Sequence, residues 1–261
     1  MSSWLSTPRF HKSSINITKI NIKDFPLSNY KIVQISDLHL NKKKLWKDDL
    51  KDLITKIVDI NPDIVLITGD LIDGRCKFTK ELLEPLKQLT NIFNCYFVFG
   101  NHEFGCFKYN IDYFIKCLEE LGIVVLENRS VIVNKDKKSF NLVGLSDYTG
   151  VFYDRPPLIK KSFKNVDKSL ATIVMIHRAG WIKKIEKYDF NLALAGHNHG
   201  GQIYPIGLWI AKYRCKTRYL KGLYKISDNK YAFISKGVGY SRLPIRFFVN
   251  SEIDLIIINE K

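Results

Sequence analysis

The sequence predicts an α/β protein, a single-domain layered α-β-β-α sandwich with helices outside two packed sheets. Three observations carry that expectation. Short apolar runs alternate with amphipathic helical stretches three times in the first half. The second half is rich in strands. No internal repeat, low-complexity tract or Pro/Gly/Ser-rich linker divides the 261 residues, so 1–261 reads as one domain. Alternation of this kind is the pattern of parallel strands joined by helical crossovers, and chains of this length commonly form one such unit.

Residues 1–29 are expected to form an N-terminal arm and an edge strand, because INITKINIKDF alternates apolar and polar side chains. The run 31–37 is short, apolar and stopped by polar residues, which predicts a buried strand. Leu45, Leu50, Leu53, Ile54, Ile57 and Val58 recur at helical spacing with charges between them, predicting an amphipathic helix over 45–61. A second buried strand is expected at 63–70, a helix at 79–89, a third strand at 95–103, and a helix at 109–122 stopped by Gly122. The runs IVVLEN, RSVIVN and SFNLVGLSD follow one another so closely that they read as a meander. A strand at 169–177, a helix near 179–187 and a strand within 190–201 come next. Three more strands are expected in YLKGLYKIS, KYAFISKG and SEIDLIIIN.

Composition excludes several classes. A hydrophobic fraction of 46% is ample for a core and rules out disordered and collagen-like chains. No apolar stretch approaches the ~18–20 residues that cross a bilayer. The N-terminus lacks the apolar segment and small-residue cleavage site of a signal peptide, so a cytoplasmic location is expected. Five cysteines, with no C-x-x-C pair, point to reduced thiols. Forty-one Lys and Arg against 26 Asp and Glu leave a formal charge of +15. Such a field attracts anions: nucleic acid, anionic lipid or a phosphorylated small molecule.

What ends each apolar run carries the chemistry. The run 31–36 ends in Asp37-Leu38-His39, 63–68 in Gly69-Asp70, 95–99 in Gly100-Asn101-His102-Glu103, 170–176 in His177, and 191–195 in Gly196-His197-Asn198-His199. The carboxyl edge of an α/β sheet is where ligands bind, because its loops converge on one crevice. Carboxylate, Asn carbonyl and imidazole are ligands for hard to borderline divalent metals, and no thiolate enters any motif. Glycines before Asp70, Asn101 and His197 let the backbone turn sharply and bring those groups close. The groups are too many for one tetrahedral ion and suit two metals sharing a carboxylate. D-x-H or G-D alone is weak, and a single strand-end histidine is usually structural. All five at strand ends have no packing purpose.

In this order, DLHL…GDLID…GNHE…H…GHNHGGQ resembles the calcineurin-like metallophosphoesterase superfamily. The GHNHGGQ motif with the late GYSRLPIRFFVNSEIDLIII is similar to its small bacterial-type phosphodiesterase branch, which includes UDP-2,3-diacylglucosamine pyrophosphohydrolases of lipid A synthesis. The resemblance runs from about residue 30 to the end. It implies a first metal held by Asp37, His39, Asp70 and His199, and a second held by Asp70, Asn101, His177 and His197. His102 is implied as the catalytic residue facing the substrate phosphate. Where family members commonly continue the fourth motif with an acidic or small residue and proline, this chain has Arg178-Ala179.

The implied activity is a dinuclear phosphohydrolase cleaving a phosphodiester or pyrophosphate bond by attack of a metal-bridging hydroxide. Its cofactors are two divalent metal ions, manganese first, with zinc or iron as alternatives. The substrate is a phosphorylated small molecule or is lipid-linked, as UDP-2,3-diacylglucosamine is. A nuclease or general nucleotide phosphodiesterase is the alternative. A non-catalytic scaffold ranks last, since every ligand position is filled. Cys76 and Cys106 follow metal motifs and read as bystander thiols. Residues 208–225 interleave Trp209, Tyr213, Tyr219, Leu220 and Tyr224 with Lys212, Arg214, Lys216, Arg218 and Lys221. Such a stretch suits the face of an anionic membrane, single-stranded nucleic acid, or an ordinary amphipathic element covering the core.

Overall fold

The computed structural model describes residues 5–6, 13–23, 25–41, 46–215, 217–241, 243 and 245–260. Residues 1–4 and 7–12 of the N-terminal arm, Leu45 and Lys216 lie outside the described residues. In chain order the elements are β1 (Leu5–Ser6), β2 (Ser14–Ile22), β3 (Tyr30–Ile35), α1 (Trp46–Ile60), β4 (Ile64–Ile67), α2 (Lys87–Thr90), β5 (Cys95–Phe97), α3 (Asn101–Phe107), α4 (Ile111–Glu120) and β6 (Ile123–Val125). Then come β7 (Arg129–Lys135), β8 (Lys138–Gly144), α5 (Ile159–Ser162), β9 (Thr172–Arg178), α6 (Ile182–Ile185) and β10 (Leu192–Gly196). The chain closes with α7 (Ile206–Cys215), β11 (Gly222–Ser227), β12 (Lys230–Ile234), β13 (Arg246–Phe247) and β14 (Glu252–Glu260).

Two six-stranded sheets face each other, ordered β2-β14-β3-β4-β5-β6 and β11-β12-β10-β9-β8-β7. β3, β4, β5 and β6 run parallel, as do β8, β9, β10 and β12, so their carboxyl ends share one edge within each sheet. β2 is the edge strand, parallel to β14. Between the sheets, Ile32, Ile64, Leu66 and Val98 pack on Phe140, Leu142, Ile173 and Leu194. Leu50, Leu53, Ile54 and Ile57 of α1 and Phe114 and Leu118 of α4 cover the outer face of the first sheet. Ile182 and Ile185 of α6 cover the outer face of the second. This is the expected layering. Gln34 of β3 ties the sheets at their core: its Nε2 donates to Thr68 Oγ1 and to the Ala195 carbonyl, both at 2.9 Å.

Three elements differ from expectation. Residues 79–89 form two 3₁₀ turns, Lys80–Leu82 and Glu84–Leu86, and only then α2. Pro85 lacks the amide that a continuous helix needs and its ring crowds the preceding turn. The meander is divided between the sheets. β6 returns from α4 to pair parallel with β5, while β7 and β8 form a hairpin in the other sheet. Its two-residue turn, Asp136-Lys137, has φ of +50° and +63°, the geometry that matches strand twist. Finally, Asn101-His102-Glu103 does not prolong a strand but opens α3.

Candidate metal centre

The motif residues arrive at the shared edge on strained backbone. Asp37, His39, Asp70, His197 and His199 all have φ between +48° and +72°, in the left-handed region that costs non-glycine residues energy. Such strain persists where the surroundings over-determine it, and here they do. The Asp37 and His39 amides donate to the carbonyls of Gly69 and Asp70 at 3.0 and 2.9 Å. Two glycines make the approach feasible. Gly69 has φ +89°, and a side chain there would meet His177 Nδ1 at 2.7 Å. A methyl on Gly100 would overlap Asp70 Oδ1.

Six of the seven expected ligands converge with His102 in three overlapping groups. Asp37, His39 and His199 form one, His39, Asp70 and His102 a second, and Asp70, His177 and His197 a third. His39 Nε2 lies 3.1 Å from His199 Nε2, and His177 Nε2 lies 3.1 Å from His197 Nδ1. Asp70 Oδ2 is 3.3 Å from His177 Nε2 and 3.7 Å from His39 Nε2, within reach of both pairs. Each Asp commits one oxygen to the protein. Asp37 Oδ2 accepts from Ser36 Oγ at 2.7 Å and from the His197 amide at 3.0 Å, and Asp70 Oδ1 accepts from the His102 amide at 2.8 Å. The other oxygen faces the imidazoles.

This donor set fits divalent cations on a structural criterion. Asp37 Oδ1 and Asn101 Oδ1 are buried acceptors that accept no hydrogen bond from any described residue. Buried oxygens left so cost free energy unless something else meets them. The facing nitrogens of each imidazole pair stand 3.1 Å apart, close enough for one cation to take a lone pair from both. Asn101, the seventh expected ligand, sits between Gly100 and His102, both packed on Asp70.

The electrostatics agree. Burial pushes the Asp37 carboxyl up from its ordinary range. Burial also works against the Asp70 carboxylate, but the facing His177 and His102 charges outweigh it and hold that carboxyl well below the usual value. For His177, burial opposes charge, and Asp70 reverses the balance and pushes the ring up to about 10. Burial, then His177 and Arg178, hold His197 well below the usual histidine range. Burial, then His39 and Arg246, do the same for His199. Those rings keep free lone pairs.

Four residues without an assigned role in the sequence reading organise the site. Glu103 is fully buried and accepts from the amides of Asp70 (3.1 Å), Ile72 (3.1 Å) and Gly100 (2.8 Å), so one carboxylate joins two motif loops. Burial, then the Asp70 charge, push its carboxyl up to about 7. Arg246 is fully buried; it donates to the carbonyls of Lys236, Gly237 and Gly239, and its Nη2 lies 3.3 Å from His199 Nδ1. Asp147 holds Arg178 Nε at 2.8 Å, and Arg178 Nη1 lies 3.2 Å from His197 Nε2. Glu103, inside the third motif, and Arg178, directly after the fourth motif's histidine, had local signals. His102 Nδ1 accepts from the Gly74 amide at 2.9 Å, which leaves the proton of the neutral ring on Nε2, 3.9 Å from Asp70 Oδ2.

The family model described as calcineurin-like phosphoesterase matches residues 30–201, a span that holds His102 and all seven expected ligands. The chain belongs to that family. An uncharacterized metallophosphoesterase of Helicobacter pylori strain J99 is 32% identical over 251 residues, covering 95% of this chain and 63% of that protein. A Danio rerio protein named as a transmembrane protein with a metallophosphoesterase domain is 26% identical over 246 residues, covering 90% of this chain and 54% of that one. This metallophosphoesterase chain thus spans less than two thirds of the length of either relative. The crystal structure of a dimetal phosphatase from Danio rerio superposes with a TM-score of 0.55 at 12% identity, over 90% of this chain and 100% of that one. That likeness is one of fold. No helix among the described residues is long and apolar enough to cross a membrane.

Proposed function

We propose that the chain is a phosphohydrolase that works with two divalent cations and cleaves a phosphodiester or pyrophosphate bond. The observation that carries this reading is Asp70 Oδ2 within 3.3–3.7 Å of one imidazole from each of two pairs, beside unpaired acceptor oxygens of Asp37 and Asn101. Asp37, His39, Asp70 and His199 would hold one ion, and Asp70, Asn101, His177 and His197 the other. Bound there, the ions polarise phosphoryl oxygens and acidify an attacking water.

The chain's own side chains do the rest. His102, oriented by the Gly74 amide, offers its Nε2 proton to a phosphoryl or leaving oxygen. Arg178, pinned by Asp147 and by Thr149 Oγ1 at 3.2 Å, sets a fixed cation beside His197 where a substrate oxyanion can meet it. Such a cation favours substrates with charge beyond the scissile group, as pyrophosphates and nucleotide-linked phosphates have. Manganese is the preferred metal of this reading.

The test strips the protein with a chelator, reloads it separately with Mn²⁺, Zn²⁺ or Fe²⁺, and assays bis-p-nitrophenyl phosphate, p-nitrophenyl phosphate, a UDP-linked acyl sugar and single-stranded DNA. Loss on chelation, recovery with Mn²⁺, and a preference for diester or pyrophosphate over monoester is the expected result. Full hydrolysis after chelation, or none with any metal, overturns the reading.

A further inference from the structure

Among the described residues, α7 presents its apolar stripe to solvent. Ile206, Trp209, Ile210 and Tyr213 recur at i, i+3, i+4 and i+7, the spacing of one helix face, with Trp209 and Tyr213 79% and 86% exposed. A helix normally turns such a face to the core. The face continues onto a second segment. Gln202 Nε2 donates to the Leu243 carbonyl at 2.9 Å, and the Tyr204 amide donates to the Phe247 carbonyl at 3.0 Å. Those bonds set exposed Leu243 and Phe248 beside exposed Tyr204 at the start of α7. Cations accompany the ridge: Lys212 is exposed on α7, and Lys221 Nζ stands 5.1 Å from the centre of the Tyr204 ring. The expectation for 208–225 is corrected in part, because Tyr219 is buried and only 3% exposed.

We propose that this ridge is a docking surface for an anionic lipid bilayer, and that it brings the metal centre to a phosphate at the headgroup plane. The second clause rests on the phosphohydrolase reading; the first does not. The ridge grows from the segments that build the centre: His199 lies seven residues before Ile206, and Arg246, beside His199, precedes Phe247 and Phe248. Aliphatic side chains decide the occupant. Ile206, Ile210 and Leu243 offer nothing to stack on a base, whereas they insert at the headgroup–acyl boundary. The indole and phenol rings suit that boundary too, and the lysines complement lipid phosphates, as does the net charge of +15.

The test uses the full chain stripped of metal by chelation, so that no hydrolysis contributes. Vesicles of phosphatidylcholine containing 30% phosphatidylglycerol, at about that fraction to mimic an anionic leaflet, are compared with pure phosphatidylcholine by flotation. Tryptophan fluorescence is followed with brominated lipids. The expected result is salt-sensitive flotation with the anionic vesicles, and bromolipid quenching that falls in Trp209→Phe. The double variant Ile206→Ser, Ile210→Ser should melt like the parent and lose affinity about tenfold or more. Failure of the parent to float, quenching unchanged in Trp209→Phe, or binding of single-stranded DNA in place of vesicles overturns the proposal. Vesicle binding by a protein that hydrolyses nothing would uphold the surface and defeat the catalytic reading alone.

Discussion

His39 Nε2 and His199 Nε2 stand 3.1 Å apart in a buried site although 160 residues separate them in the chain. One proton can sit between two such nitrogens, and a cation can take the lone pairs of both. The same approach recurs between His177 and His197, and Asp70 Oδ2 reaches toward each pair.

His102 should be separable from metal binding. Its Nδ1 is occupied by the Gly74 amide, so only Nε2 faces the cluster. His102→Ala is expected to retain bound metal and lose roughly 100-fold in turnover, the scale of a lost general acid. The defect should shrink for p-nitrophenolate leaving groups, which need little protonation. Metal analysis and steady-state kinetics on the same preparations check this; a loss of metal matching that of Asn101→Ala would make His102 a ligand instead.

Glu103 should matter for folding more than its distance from the surface would imply. Glu103→Ala leaves three buried amides, those of Asp70, Ile72 and Gly100, without an acceptor. The expected cost is about 3 kcal/mol or more, roughly 6–12 °C in Tm. Glu103→Gln keeps one carbonyl oxygen and should fall between. Thermal denaturation in chelator measures this without the contribution of metal, and an Ala variant melting with the parent contradicts it.

Arg178 should act on substrate affinity. Its guanidinium is already oriented by Asp147 and Thr149, so a bound oxyanion gains a charged hydrogen bond at little ordering cost. Arg178→Ala is expected to raise KM about 10-fold or more with kcat little changed, and Arg178→Lys to recover part of it. An unchanged KM across diester and pyrophosphate substrates removes Arg178 from substrate binding.

Asp254 links the first sheet to pH. Burial, then the Glu252 charge, raise its carboxyl well above the usual value, although Asn16 Nδ2 donates to Oδ1 at 2.8 Å. The folded state therefore holds a proton that the unfolded chain releases above pH 4. Stability from this group is fully present below the unfolded pKa and is lost as pH rises toward the folded one, with a slope of at most about 1.4 kcal/mol per unit. Asp254→Asn removes the titration. Chemical denaturation from pH 5 to 8 should show the variant gaining on the parent as pH rises; parallel curves contradict the assignment.

Much of this architecture was legible in the sequence because apolar runs and their polar terminators are local signals. Asp37, Asp70 and His197 each follow a run that forms a buried parallel strand, and fold rules send such ends to one edge. What was not legible depends on partners distant in sequence. Arg246 reads as one more surface cation until the loop 236–239 closes around it. β6 looks like the first strand of a meander because nothing near it reveals that α4 carries it back to β5. The 79–89 segment contained its own warning in Pro85. Tyr219 and Trp209 were indistinguishable as aromatic neighbours of lysines, and only tertiary packing buries one and exposes the other.

Metal stoichiometry tests whether a pair of cations shares Asp70. Chelated protein titrated with Mn²⁺ and followed by calorimetry and elemental analysis should take up two ions per chain. Asp70→Asn should weaken both, by roughly 100-fold or more, since even groups that only orient a ligand are worth 10–100-fold. Replacing His199 should spare one ion. Uptake of a single ion by the parent chain, or two ions undiminished in Asp70→Asn, would contradict the account.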